Sequence, residues 1–242
     1  MLHLCISIVI GLVAMTLLFG FWYPPPYFSA AGADQLALLL VGVDVGIGPL
    51  LTFIVFKPGK KGLTFDLFVI AALQLGALVY GLHTVAASRP VFLVFAVDRF
   101  ELVAANQIAD ADLKQGKEDR FRRRSWKGPL LVYGEMPTDP KEHGELAFSG
   151  AEGRDLQNLP RYFRDYDGNA IKVAEHAHDL ATLRPKIDTD SAAVLDSWLQ
   201  RNALRDADVR WVPVVARRKD ATVLIARDSG KVLAALPIEP PW

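Results

Sequence analysis

Residues 2–23, 36–56 and 63–85 form three apolar stretches that carry almost no charge. Each is about 20 residues long, the length at which a helix rising about 1.5 Å per residue crosses a hydrocarbon core of about 30 Å. Of the 27 Lys and Arg residues only Lys57, Lys60 and Lys61 lie in residues 1–86, and of the 27 Asp and Glu only Asp34, Asp44 and Asp66, so 24 of each sign fall in residues 87–242. The mean hydropathy of +0.21 therefore averages two halves suited to different solvents. Buried helices of a soluble core seldom run this long without charge. The pattern predicts an α+β membrane protein with a three-helix transmembrane domain over residues 1–86 and an α+β domain over residues 87–242.

Residues 1–22 share features with a secretory signal, including the small residues Ser29 and Ala30 near a potential cleavage point. However, the start MLHLCISIV has no basic n-region, the apolar run exceeds a usual h-region, and Pro24, Pro25 and Pro26 follow it. A retained helix is expected. Basic residues in short connections set orientation. The connection KPGKKG holds Lys57, Lys60 and Lys61, whereas PPPYFSAAGAD holds none. The lysine turn is thus expected on the cytoplasmic side, with residues 87–242 outside the cytoplasmic membrane. In a Gram-negative bacterium that is the periplasm; in a eukaryotic chain the same reasoning gives an exoplasmic domain. The lone cysteine, Cys5, lies in the first stretch, so the outer domain has neither an internal disulfide nor a cysteine metal site.

In the outer domain, RPVFLVFAVDRFELVAA suggests a kinked strand or a hairpin broken near Asp98 and Arg99. VRWVPVVARR, ATVLIAR and KVLAALPI read as a small antiparallel sheet, with Asp228, Ser229 and Gly230 suited to a tight turn. Residues 169–182 and 190–202 show helical spacing, with Asp190 as the expected N-cap of the second. Residues 134–161 are rich in Gly, Pro and charge and read as mostly loop.

Catalytic patterns are weak. In EHAH, His176 and His178 stand two apart, which on a helix separates them by about 200° and prevents a shared metal. Ser149 and Ser229 lack the frame of a nucleophile elbow. DVGIG resembles half of a dinucleotide fingerprint but lies in an apolar stretch. No cofactor, small-molecule substrate or metal site is therefore expected. The run RFRRRSWK places Arg122, Arg123 and Arg124 beside Phe121 and Trp126. It reads either as a solvated face or as a contact surface for anionic headgroups or an acidic partner; nucleic acid does not fit a domain of balanced charge facing outward.

Asp44 lies about nine residues inside the second stretch, where an anion costs about 3 kcal/mol or more. It must be protonated, paired or facing a polar cavity. Gln74, at matching depth on the third stretch, is its expected hydrogen-bond partner within a helical bundle. Gly42 and Gly46 form a small-xxx-small pair, with Gly48 nearby, and Pro49 frees the carbonyl of Val45 and should kink the helix. A kinked, glycine-faced helix with an acid at its bend is suited to docking another transmembrane helix; one acid among three helices offers no evident proton pathway.

The combination of VDVGIGP, FKPGKKG and RPVFLVFAVDRF resembles the type IV pilin accessory protein family of the TfpX/TfpZ kind, most strongly over residues 36–104. The resemblance implies a multi-pass protein of the bacterial inner membrane with its C-terminal domain in the periplasm. It implies a non-enzymatic accessory role in type IV pilus assembly, with the major pilin and the pilus assembly machinery as partners. Partner contacts are expected at Gly42, Asp44, Gly46, Gly48, Pro49 and Gln74 in the helices and at Arg122, Arg123, Arg124 and Trp126 in the outer domain. The alternative is a membrane-bound pilin-modifying enzyme, such as a transferase using a lipid-linked donor, for which Asp98, Arg99 and the basic run would be the polar candidates.

Overall fold

A computed structural model describes residues 2–241, and the side chains of all of these except residues 2–4, 36, 39–41 and 43–45. The N-terminal part is helical. Helix α1 (Leu2–Leu17) continues through a π turn, Leu18–Trp22. After a short helical turn at Tyr27–Ala30 come α2 (Ala33–Val41), a second π turn at Gly42–Ile47, and α3 (Gly48–Val55). Helix α4 (Leu63–Ser88) is the longest, α1 packs on α2 and on α3, and α2, the second π turn and α3 pack along α4.

Among the described residues two helices, Cys5–Trp22 and Leu63–Ser88, are long and apolar enough to cross a membrane. The second of the three expected spans is instead an interrupted run. The π turn Gly42–Ile47 runs directly into α3, with Ile47 itself in helical conformation, and Pro49, which has no N–H to donate, stands in the first turn of α3.

Helix α4 ends at Ser88 and strand β1 (Pro90–Ala96) begins two residues later. It pairs with β2 (Arg99–Ala104) in a hairpin that turns at Val97 and Asp98, with Val97 at φ 63°. Next come β3 (Leu130–Gly134), α5 (Pro140–Ala151), β4 (Phe163–Asp165), α6 (Ala170–His176), β5 (His178–Asp179) and α7 (Thr189–Arg201). The chain closes with β6 (Val209–Val215), β7 (Ala221–Ala226) and β8 (Val232–Leu236).

The C-terminal meander β6-β7-β8 follows the expectation, but it is part of a larger, mixed sheet. Strand order is β4-β3-β1-β2-β6-β7-β8, with β5 paired to β6. The β1–β3 and β2–β6 pairs are parallel, and these two joins unite what the local sequence presents as separate hairpins. Both faces are covered, which is why β1 is buried at every residue. Leu93, Phe95, Phe100, Leu102, Val212 and Val223 pack on α6 through Val173 and Ala174. On the other face Phe92, Val94, Val103 and Val132 meet Ile108, Leu113 and Phe121, while Trp211 and Leu224 meet Leu195 and Leu199 of α7.

Three local expectations change. Residues 134–161 contain a 12-residue helix, α5, whose N-cap Asp139 accepts from the backbone N–H groups of Lys141 and Glu142 and whose first turn holds Pro140. The cap of α7 is Asp188, which accepts from the Ser191 N–H at 2.7 Å, so the helix starts before Asp190. The expected helix over 169–182 stops at His176, and the chain becomes strand β5 at His178.

Candidate partner-binding site

The three glycines of the second apolar run differ in their surroundings. A methyl group built on Gly42 or on Gly46 would meet no atom within 4 Å among the described residues, and both positions are exposed. At Gly48 the same methyl would lie 1.7 Å from Nε2 and 2.3 Å from Cδ of Gln74 on α4. Gly48 is therefore occupied internally, as the seat of the Gln74 amide, while Gly42 and Gly46 leave an open strip of backbone. Two residues along a helix turn the side chain by about 200°, so the separation of Gly46 from Gly48 follows from helical geometry. The side chain of Asp44 lies outside the described residues, and its expected bond to Gln74 with it. Apolar side chains are exposed elsewhere on the helices: Phe53 is 82% exposed, and Phe65, Phe68, Leu73 and Tyr80 are exposed as well.

Lys57, Lys60 and Lys61 occupy the turn between α3 and α4, at the end of α4 remote from the sheet. Lys60 pairs with Asp66 at 2.6 Å, and all three lysines are exposed.

At the opposite end the helices are fastened to the α+β domain, a junction that sequence patterns did not reveal. Tyr23 Oη donates to the Val85 carbonyl (2.8 Å), tying the end of the first helical run to the end of α4. Gly128 N–H, in the loop before β3, donates to the Phe21 carbonyl (2.8 Å). The Trp22 ring meets the Trp126 ring edge to face at 5.6 Å, and the Arg89 guanidinium lies over Trp126 at 5.1 Å while donating to the carbonyls of Ala86 and Ser125. Ala30 enters the sheet's core cluster, and its carbonyl accepts from the N–H groups of Arg218 and Lys219 in the β6–β7 loop.

The basic run is mostly consumed by its own domain. Arg122 donates to the Gly116 carbonyl and pairs with Asp119; Arg124 donates to the carbonyls of Ala105 and Ile108 and pairs with Asp110. Arg120, beside them, pairs with Glu118 and Asp165. Arg123 is exposed and makes no hydrogen bond or ion pair among the described residues, and Trp126 is 61% exposed despite its contacts at the junction. The outward-facing part of the cluster is thus Arg123 and Trp126.

The remaining polar groups are committed to structure. Asp98 and Arg99 bond each other at 2.8 Å at the hairpin turn, and the guanidinium holds the Asp98 carboxyl below the usual range. His176 bonds the Lys172 carbonyl through its ring, and His178 stacks near Trp211 at 4.9 Å. On β2, burial pushes the Glu101 carboxyl up to about 7.

Comparison with known proteins finds relatives of this chain. The family model for fimbrial assembly protein FimB matches residues 1–32. A fimbrial assembly protein of serogroups C1 and C2 from Dichelobacter nodosus is 35% identical over 116 residues, covering 47% of this chain and 88% of the relative. The serogroup E1 protein of the same organism is 29% identical over 243 residues, covering 98% of this chain and 93% of the relative, and the serogroup I protein is 28% identical over 240 residues with the same coverage. No solved structure matches this chain.

Proposed function

We infer, from a chain that belongs to the fimbrial assembly protein (FimB) family, that this protein is a non-enzymatic accessory factor of type IV pilus assembly which binds and stabilises the major pilin. Its helical part is embedded in the bacterial inner membrane, with α1 and α4 crossing and the interrupted run lying along α4. The lysine turn faces the cytoplasm, where cationic loops are retained, and the α+β domain stands in the periplasm. The exposed phenylalanines and leucines of the helices support this reading, since apolar surface of that extent calls for lipid or a protein partner.

The observation that carries the docking reading is the contrast among the glycines. Helices associate in lipid through close backbone approach at small residues. Gly48 already serves that purpose toward α4, whereas Gly42 and Gly46 present the same kind of surface with no atom of the described residues within 4 Å of a Cβ built there. A pilin's apolar helix is the occupant, and the periplasmic domain meets the pilin head through Arg123 and Trp126.

In-membrane photocrosslinking from position 42 to the major pilin, in cells, tests this. The expected result is a specific adduct that Gly46→Leu abolishes without lowering the amount of protein. An adduct unaffected by Gly46→Leu, or none in cells whose piliation still depends on the protein, would remove the helices from pilin recognition. A pilin of unchanged mass in cells lacking the protein is expected for an accessory factor, whereas a mass difference would identify a modifying enzyme.

A further inference from the structure

A cleft of about 330 Å³ opens at the junction, lined by Ala31, Gly32, Gln35, Thr84, Ser88, Arg217 and Arg218. Its walls come from three places: the end of α4, the start of α2 with the turn before it, and the β6–β7 loop. No lining residue is acidic, and two are arginines. Arg218 is held in place from several sides. Its backbone N–H donates to Ala30, its Nη1 donates to Gln35 Oε1 at 2.6 Å, and its stem lies against Gly32, where a Cβ would come within 3.1 Å of Cδ. Gly32 has φ +77°, so that contact depends on glycine both for backbone and for space. Arg217 is exposed and makes no hydrogen bond or ion pair among the described residues. The Asp34 and Asp220 carboxylates nearby in sequence cap backbone N–H groups of Gln35 and Ala216.

We propose that this cleft binds the phosphate of an anionic phospholipid headgroup through Arg217 and Arg218. Guanidinium groups match phosphate oxygens in a planar, bidentate way and are favoured where phosphate is recognised at a surface. Two cations without a lining acid favour a headgroup of net negative charge over a zwitterionic one. The cleft lies where α4 leaves its apolar stretch, immediately beyond the exposed Val79 and Tyr80, so a phosphate in the cleft leaves the acyl chains alongside the helix. The inference rests on the membrane reading of the helices.

Full-length protein in detergent, titrated with phosphatidylglycerol or with phosphatidylcholine and read by native mass spectrometry, tests it. The wild type is expected to retain one phosphatidylglycerol in preference to phosphatidylcholine, and Arg217→Gln to weaken that retention about tenfold, the loss of one charge-assisted contact. Arg217 makes no hydrogen bond or ion pair among the described residues, so this variant keeps the fold; Arg218→Gln should weaken retention further. Equal retention by wild type and Arg217→Gln overturns the proposal. Displacement of the lipid by inorganic phosphate alone, with the same dependence on Arg217, overturns the lipid assignment in favour of free phosphate. Alkaline carbonate extraction of membranes checks the underlying premise separately: release of the wild type would sink the membrane reading, while a protein that stays inserted but fails the lipid test loses only this inference.

Discussion

Alanine substitutions at Gly46 and Gly48 should shift stability in opposite directions, although the two residues stand only two apart in the same run. In an open helical position, replacing Gly by Ala removes backbone entropy from the unfolded chain and gains about 0.5–1 kcal/mol. Gly46 offers such a position, because its Cβ would meet nothing within 4 Å among the described residues. At Gly48 the same gain is opposed by the Gln74 amide, whose Nε2 and Cδ would lie 1.7 Å and 2.3 Å from the new carbon. The amide sits at the end of a flexible side chain and can swing aside, but only by giving up its place against α3; overpacking of this kind costs about 1–3 kcal/mol. The net expectation is stabilisation by about 0.5–1 kcal/mol for Gly46→Ala and destabilisation by roughly 1 kcal/mol for Gly48→Ala. At about 2–4 °C per kcal/mol for a chain of this size, the two melting temperatures should differ by roughly 3–8 °C. Thermal loss of far-ultraviolet circular dichroism in one detergent measures this. Adding Gln74→Ala to Gly48→Ala should recover more than half of the loss, because the offending atoms are gone. Two variants that move together, or a double variant no better than Gly48→Ala, would refute the packing argument and with it the division of the glycines into an occupied and an open set.

Two further expectations concern the α+β domain. The Glu101 carboxyl is pushed up to about 7 by burial, with the Arg99 charge opposing. The folded protein therefore binds its proton more tightly than the unfolded chain does, and stability should fall as pH rises from about 4.5 to about 7. Glu101→Gln should be more stable than wild type at pH 8, by about 1 kcal/mol after allowing for solvent screening at a partly exposed group, and no different at pH 4; a pH-independent difference would contradict this. Gly230→Ala should cost more than about 2 kcal/mol, because the new methyl would overlap the Ala170 carbonyl oxygen (1.8 Å) at a residue with φ +69°; chemical unfolding that shows a smaller loss would mean that α6 moves freely against the turn.

Strands β1, β2, β6, β7 and β8 were legible because they are continuous apolar runs joined by short turns, whereas β3 and the short β4 and β5 were not. The pairing of β1 with β3 and of β2 with β6 was not, since parallel pairing across long insertions leaves no local periodicity. Helix α5 was hidden by a composition with few apolar residues, although Asp139 and Pro140 carry the start signal of a capped helix. The open strip at Gly42 and Gly46 was readable as a small-residue pair, but the role of Gly48 was not separable from it until Gln74 was seen against its backbone. The basic run illustrates the reverse case. Its arginines stand out in sequence, yet Arg122 and Arg124 satisfy buried or half-buried carbonyls left open by the irregular chain over residues 105–116, which no sequence pattern announces.

The junction gives the separation of the two halves a physical consequence. Gly42 and Gly46 lie roughly 14–20 Å from the Ala33 end of their run, at 1.5 Å per residue. That end is held beside the sheet by Ala30, Gln35 and Arg218, while Tyr23 and Val85 close the neighbouring helix ends. A helix docked along the open glycines would therefore leave the apolar layer on the same side as the α+β domain, at the end where Trp126 meets Trp22. A partner with an apolar helix continuous with a globular head would meet both surfaces at a fixed separation, and either contact alone would raise the effective concentration of the other. Weak individual contacts then suffice for retention, and a change at the junction that touches neither surface, such as Tyr23→Phe, which removes the hydrogen bond to the Val85 carbonyl, should weaken both together.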